Sequence, residues 1–361
     1  MYEKRKTFLE KLIVEEGLVG LEIGALDRPL LGQNETSDKK NNFFLDHLST
    51  EGLKQKYKDD PSVDIAKIVG VDFIDNSGNL SEAVCGSKFD YIVASHVFEH
   101  VPNPIAWMQM VFAALQPGGF LFLVLPDKRF TFDYQRPVTT FGMMLQSYLQ
   151  EKSKPSAADV YDHYASAVMV DTAKVWSGVL CDADLIPLTP ASDALRIAKE
   201  VHKSQRYQDV HVSIFTPASF LTILEHLIKS GLLRVQVSCF KNTDLNDIEF
   251  FVCLKKVASE ETEPQEKLLA SIPRLDIENF TAPYMPQVKM LSDALKNMSE
   301  VTKKLQTDIN HRDTIIHSNN LEIASFKDKL SFCEQTLGRR SVRFVLFAID
   351  VICKLLAFRS R

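Results

Sequence analysis

The residues best suited to chemistry fall into three groups along the 361-residue chain. Ser95, His96, Glu99 and His100 crowd the front of one run, FDYIVASHVFEHVPNPIAWMQMVFAALQPGGFLFLVLP, Phe89 to Pro126. His163 lies in Tyr161-Asp162-His163-Tyr164 and His211 in Asp209-Val210-His211, each beside acidic or aromatic residues. Glu22-Ile23-Gly24-Ala25 and the carboxylate of Asp46 make the third group. Imidazole titrates near neutrality, which suits it to taking a proton from a hydroxyl. A strand-ending glycine lets the backbone approach a ligand closely, or simply closes a turn. Doubly wound nucleotide folds place a carboxylate about 20 residues past such a glycine, against the ribose hydroxyls. Asp46 stands at that distance; its alternative role is to cap the helix beginning near Thr50. Arg129 and Arg136 suit a phosphate or carboxylate on an acceptor, or else surface pairing with Asp127 and Asp133.

Regular elements must position these groups. Tyr91-Ile92-Val93-Ala94 reads as a buried parallel strand, and its polar followers sit at the carboxyl end. Pro104 suits the first turn of a helix whose buried face is Ile105, Met108, Val111, Phe112 and Leu115. Pro117-Gly118-Gly119 stops that helix, and Phe120 to Leu125 is a second apolar strand. Such a unit is right-handed and presents its polar cluster at the edge where open α/β sheets bind ligands. Upstream, residues 3 to 16 read as a helix, and Leu18–Ile23, Asn42–Leu45 and Ile65–Phe73 as strands. The third of these ends near Asp72 and Asp75. Downstream, Thr216-Pro217 opens a helix through Ile228. Leu232–Phe240 and Ile248–Leu254 follow as a hairpin.

The succession of strand, Ser-His-Val-x-Glu-His-Val, helix, Leu-x-Pro-Gly-Gly and strand resembles the middle of class I S-adenosylmethionine-dependent methyltransferases. It looks most like the branch acting on small molecules, lipids and sugars. The resemblance covers about residues 17 to 257. It implies an α/β fold: a doubly wound, Rossmann-like seven-stranded sheet ending in an antiparallel hairpin. It also implies S-adenosylmethionine as cofactor, bound by Glu22, Gly24, Ala25, Asp46, Asp72, Ser95 and His96. Whether Asp72 or Asp75 meets the adenine is left open. The single glycine departs from the family's two or three alternating ones. Substrate-facing residues are expected in the long insertion 127–215, with Arg129 and Arg136 toward the acceptor. The expected catalytic base is His163 or His211, with His100 a further candidate. Glycan-modifying methyltransferases with similar C-terminal appendages suggest O-methylation of a sugar or lipid-linked surface glycan. The alternative is a methyltransferase-fold scaffold that recruits partners.

Composition narrows the rest. A net charge of −5 and no basic, aromatic-laced patch argue against nucleic acid as a partner. Six scattered cysteines without metal-ligand spacing read as reduced thiols in the cytoplasm, and no metal is expected. The absence of G-x-G-x-x-G disfavours a nicotinamide enzyme. Residues 1–257 are expected to form the methyltransferase domain and 258–286, rich in Glu and Pro, a linker. From 287 to 338 a heptad runs with Val288, Leu295, Ile309, Ile316, Ile323 and Leu330 at a positions. Leu291, Met298, Leu305 and Phe326 occupy d, while Thr302, Arg312 and Asn319 interrupt the seam. This predicts self-association through a coiled coil, against a solitary helix. Residues 339–361 gather Arg339, Arg343, Asp350 and Lys354 on one face and apolar residues on the rest. That pattern suits a helix on an anionic membrane surface, at the inner face, or further coiled-coil packing.

Overall fold

The computed structural model describes residues 2–13, 17–32, 41–76, 78–257, 263–275, 285–337 and 340–359. The chain divides into two compact units, residues 1–286 and 287–361. In the first, strands β1 (Gly20–Ile23), β2 (Asn42–Asp46), β3 (Phe73–Ile74), β4 (Phe89–Ser95) and β5 (Leu115–Pro126) are parallel. Two short strands, β6 (Val168–Met169) and β7 (Ile186–Pro187), form a separate ribbon. β8 (Val235–Lys241) and β9 (Glu249–Lys256) close the main sheet as an antiparallel hairpin. The order is β3-β2-β1-β4-β5-β9-β8, the doubly wound seven-stranded architecture with a reversed end.

The central strands are apolar on both faces because both faces are covered. Along β5, Leu121, Leu123 and Leu125 join one core while Phe122 and Val124 join the other. Helix α1 (Tyr2–Glu10) covers the second face, with Leu9 buried and Phe8 stacked 5.7 Å from Phe122. It ends well before the residue 16 suggested by the sequence; residues 14–16 lie outside the described residues. Helices α2 (Thr50–Lys56) and α3 (Leu80–Ala83) follow β2 and β3. Helix α4 (Pro104–Ala114) lies on the first face, capped by Asn103, whose Oδ1 accepts from the Ala106 amide at 3.2 Å.

The insertion between β5 and the later helix α9 (Pro217–Lys229) contains α5 (Phe141–Leu149), α6 (Ala157–Ser166), α7 (Thr172–Ser177) and α8 (Ala191–Ser204). α6 and α8 pack through Val160, Ala198 and Val201, with Val210 completing their small core. Trp176 stacks face to face on Phe130 at 4.2 Å and donates to the Asp247 carbonyl, tying α7 to the hairpin.

Three sequence expectations shift. Residues 65–73 are a short 3-10 turn capped by Asp64, followed by a two-residue strand, rather than one long strand. β5 begins at Leu115, before the Pro-Gly-Gly, and its pairing with β4 slips between Phe89 and Tyr91 to absorb those residues. The stretch expected as linker holds α10 (Gln265–Ala270), whose Leu268 is buried in the first core.

The second unit is α11 (Met285–Leu337) and α12 (Arg340–Arg359). Lys327 pairs with Asp350 at 3.8 Å, and Ile323 and Phe326 face Ile349, Ile352 and Cys353 across a cavity of about 250 Å³. α12 therefore covers part of the heptad seam. Farther up α11, Leu295, Met298, Leu305 and Ile309 are exposed. Among the described residues no helix is long and apolar enough to cross a membrane.

Candidate functional site

All parallel strands end at one edge, and of the predicted residues Gly24, Asp46, Ser95, His96 and His100 lie there, after β1, β2 and β4. Gly24 follows β1 with φ +70°, and a Cβ would come within 2.8 Å of Val97 Cγ2. A side chain here would be strained by both backbone and neighbour. Glu22 faces the other way: its Oε1 and Oε2 accept from the Leu30 and Leu31 amides at 2.9 and 2.8 Å. It folds the loop after Gly24 back on itself, and burial pushes its carboxyl up to about 7 despite those amides. Ala25 lies buried in the same loop, its carbonyl accepting from Arg28.

Asp46 ends β2 with 8% exposure. Its Oδ1 accepts from the His47 amide at 2.7 Å and meets His47 Nδ1 at 2.6 Å. Its Oδ2 takes part in neither contact. The cap of α2 is Ser49, so Asp46 does not spend its carboxylate on that helix. Gly24 and Asp46 thus suit an adenosyl ligand: an open turn beneath and a carboxylate for the ribose hydroxyls. Asp72 Oδ2 accepts from the Phe44 amide at 2.9 Å, bracing β2. Asp75 Oδ1 accepts from the Gly78 and Asn79 amides and shapes a turn.

At the end of β4 the side chains are bound by a residue that sequence reading missed. Arg5 of α1 donates to Ser95 Oγ at 3.2 Å and forks onto Glu249 with Nε at 2.7 Å and Nη2 at 2.5 Å. His96, at φ +55°, sets Nε2 2.8 Å from Glu249 Oε2. Burial opposes its charge, yet Glu249 and Glu99 hold its pKa up at about 9. Glu249 is buried too, but His96 and Arg5 pull it down to about 2.

One turn further on, the insertion returns. The Glu99 carbonyl accepts from the Val212 and Ser213 amides at 2.7 and 3.0 Å, which brings His211 beside His100. Their rings meet edge to face at 4.7 Å. His211 Nδ1 lies 2.5 Å from Asp133 Oδ2, with both side chains buried. Burial raises the cost of the Asp133 charge, but His211 and Arg136 hold its pKa down. His100 Nδ1 lies 2.8 Å from Asp209 Oδ1; burial works against the imidazolium, and Asp209 outweighs it, raising the pKa. Asp209 is lowered to about 2, chiefly by His100. His163 accepts from the His211 amide through Nδ1 at 3.2 Å. Burial, then the neighbouring His211 and Arg136, push its pKa down to about 4, so its ring is neutral with the proton on Nε2.

This cluster connects to Asp46 through His47. His47 Nε2 is 3.2 Å from Lys56 Nζ, which lies 4.0 Å from Asp209. The two arginines expected to face an acceptor are engaged with acids. Arg136, 5% exposed, donates to Asp133 Oδ1 at 2.9 Å and to the His211 carbonyl at 3.0 Å. Arg129 forks onto Asp127, which also accepts from Thr243. A cavity of about 340 Å³ opens beside Arg129, lined by Val138, Thr216, Pro217, Thr222 and Leu275, away from Gly24 and Asp46.

A family model described as a methyltransferase domain matches residues 19–226. Among solved structures, an S-adenosylmethionine-dependent methyltransferase from Clostridium acetobutylicum ATCC 824 is 11% identical, covering 71% of this chain and 92% of that one at a TM-score of 0.38. A SAM-dependent methyltransferase from Methanosarcina mazei is 16% identical, covering 70% and 98% at 0.34. The CurJ carbon methyltransferase is 14% identical over 71% of this chain, which spans 54% of its length, at 0.34. These structural likenesses are too slight to carry an argument of their own. No curated protein sequence matches the chain.

Proposed function

The chain belongs to the class I S-adenosylmethionine-dependent methyltransferases, and on that premise we propose that it methylates oxygen, at a hydroxyl of a sugar or lipid-linked surface glycan. The bound cofactor supplies an electrophilic methyl group on a sulfonium. Gly24 would underlie it and Asp46 would hold its ribose. The carrying observation is the buried Asp133–His211 pair, 2.5 Å apart, on the segment that returns to the sheet edge. A hydroxyl oxygen must shed its proton as it gains the methyl group. Asp133 orients His211 by its Nδ1 and leaves Nε2 for the hydroxyl. His163, neutral and carrying its proton on Nε2, serves as a donor to the acceptor rather than a base.

The second unit supports a site of action at a membrane face. Phe344 and Phe347 of α12 are 76% and 69% exposed, as an interfacial helix requires. Leu295, Met298 and Leu305 of α11 are the residues a second copy would bury in a coiled coil. The test is mass spectrometry of surface glycans from cells with and without the protein. A hydroxyl carrying one added methyl supports the proposal; unchanged glycans overturn the acceptor class. Pelleting with anionic vesicles that survives deletion of residues 339–361 overturns the membrane role of the tail.

A further inference from the structure

Glu99 lies between His96 and His100, and its side chain is fully buried. Both carboxylate oxygens are buried without a hydrogen-bond partner among the described residues. His96 Nδ1 stands 3.3 Å from Oε1 but outside hydrogen-bond geometry, and its Nε2 is engaged by Glu249. The charge of His96 at 3.3 Å offsets part of the cost of burying this carboxylate, but neither oxygen receives the hydrogen bond that burial requires. On its other side stand His100 and His211. One ligand atom from each of Glu99, His100 and His211 lies within 4.8 Å of the other two.

The surroundings are those of metal-binding imidazoles. His211 sets Nδ1 against Asp133 at 2.5 Å in a hydrogen bond, and His100 Nδ1 lies 2.8 Å from Asp209 as an ion pair outside hydrogen-bond geometry. A carboxylate on one ring nitrogen fixes the ring and leaves the other nitrogen to an ion. The main-chain bonds from Val212 and Ser213 to the Glu99 carbonyl hold the third ligand in register with the first two. No spacing in the sequence points to this set, because Glu99-His100 and His211 are remote in the chain.

We propose that Glu99, His100 and His211 bind a divalent first-row metal ion through two imidazoles and one carboxylate, a donor set suited to Zn²⁺, with positions open to the acceptor. The role of the ion rests on the reading above that the acceptor is a hydroxyl. The ion polarises that hydroxyl and lowers the cost of releasing its proton to water, with His211 acting as a ligand. Binding displaces any proton held on the ligating nitrogens.

The probe is Co²⁺, added to the full chain after stripping with a chelator, and followed by visible d–d absorption and calorimetry. The expected result is uptake of one equivalent, displaced by Zn²⁺. Glu99→Gln and His211→Ala bind about tenfold or more weakly, while His226→Ala on α9 binds normally. If Glu99→Gln does not fold, Asp209→Asn replaces it, weakening binding about tenfold through loss of the carboxylate beside the His100 ring. No bands and no heat with the unaltered protein overturn the inference, as does undiminished binding by a folded Glu99→Gln. Loss of methyl transfer in His211→Ala without Co²⁺ uptake by the unaltered chain overturns the metal and leaves the hydroxyl reading standing. Co²⁺ uptake with unchanged glycans does the reverse.

Discussion

His96 and His100 stand one turn apart at the end of β4, both close to Glu99, yet they belong to opposite kinds of environment. Around His96 the charges meet: Arg5 forks onto Glu249, and Glu249 also takes the imidazole. That network joins α1, β4 and β9 and has the character of a brace. Around His100 and His211, Asp133 orients one ring by Nδ1, while His100 Nδ1 and the oxygens of Glu99 go without a hydrogen bond among the described residues. Residue types are the same in both places. The difference lies in surplus: one cluster is saturated, and the other keeps capacity for something from outside. A third buried acid, Glu22, meets only backbone amides, and its carboxyl moves up while that of Glu249 moves down.

The comparison breaks most readily at His211. His211→Ala is expected to lower methyl transfer by about 10²–10⁴-fold with the fold intact, measured with labelled cofactor and circular dichroism. A fall accompanied by unfolding would make this cluster a brace as well. Arg5→Ala is expected to cost about 1.5–3 kcal/mol by urea unfolding, since it removes the forked hydrogen bonds to the fully buried Glu249 and leaves that carboxylate to His96 alone. A change under about 1 kcal/mol would remove the bracing role.

Glu22→Gln sharpens the contrast by pH. The folded chain holds the Glu22 proton more tightly than the unfolded one, so between the ordinary 4.5 and about 7 the native state carries the extra proton. Its contribution is fully present below 4.5 and lost as pH rises through about 7, on the order of 3 kcal/mol in all. The Gln variant should show a flatter urea midpoint across that range; an unchanged slope would assign the pH dependence elsewhere. Smallest of the four, Gly24→Ala should cost about 1–2 kcal/mol in stability from the left-handed backbone. It should also weaken cofactor binding by calorimetry, and equal affinity would move the adenosyl site away from this turn.

Some of this was readable from the chain alone. β4, α4 and β5 were legible because both strands are apolar throughout and the helix keeps its spacing between Pro104 and the Pro-Gly-Gly. The places of Gly24 after β1 and Asp46 at the end of β2 were legible from the apolar runs that precede them. β3 was not: Asp64 caps a 3-10 turn and Asp72 gives its carboxylate to Phe44, local bonds that compete with an extended strand. The partners that decide what each histidine does were invisible. Arg5, Asp133, Asp209 and Glu249 reach their imidazoles from remote parts of the chain, and no periodicity encodes such meetings. Arg129 and Arg136 read equally well as acceptor ligands or as partners of their neighbouring acids, and both engage those acids.

Because β9 runs opposite to β5, it is the first residue of the strand, Glu249 opposite Pro126, that arrives at the rim formed by the carboxyl ends of the parallel strands. A parallel strand entering there would have delivered its last residue instead. The reversal sets the short connection after β8 beside the rim, where Thr243 donates to Asp127 and the Asp247 carbonyl accepts from Trp176. One turn between two antiparallel strands thereby fastens both the end of β5 and helix α7 to that corner of the molecule.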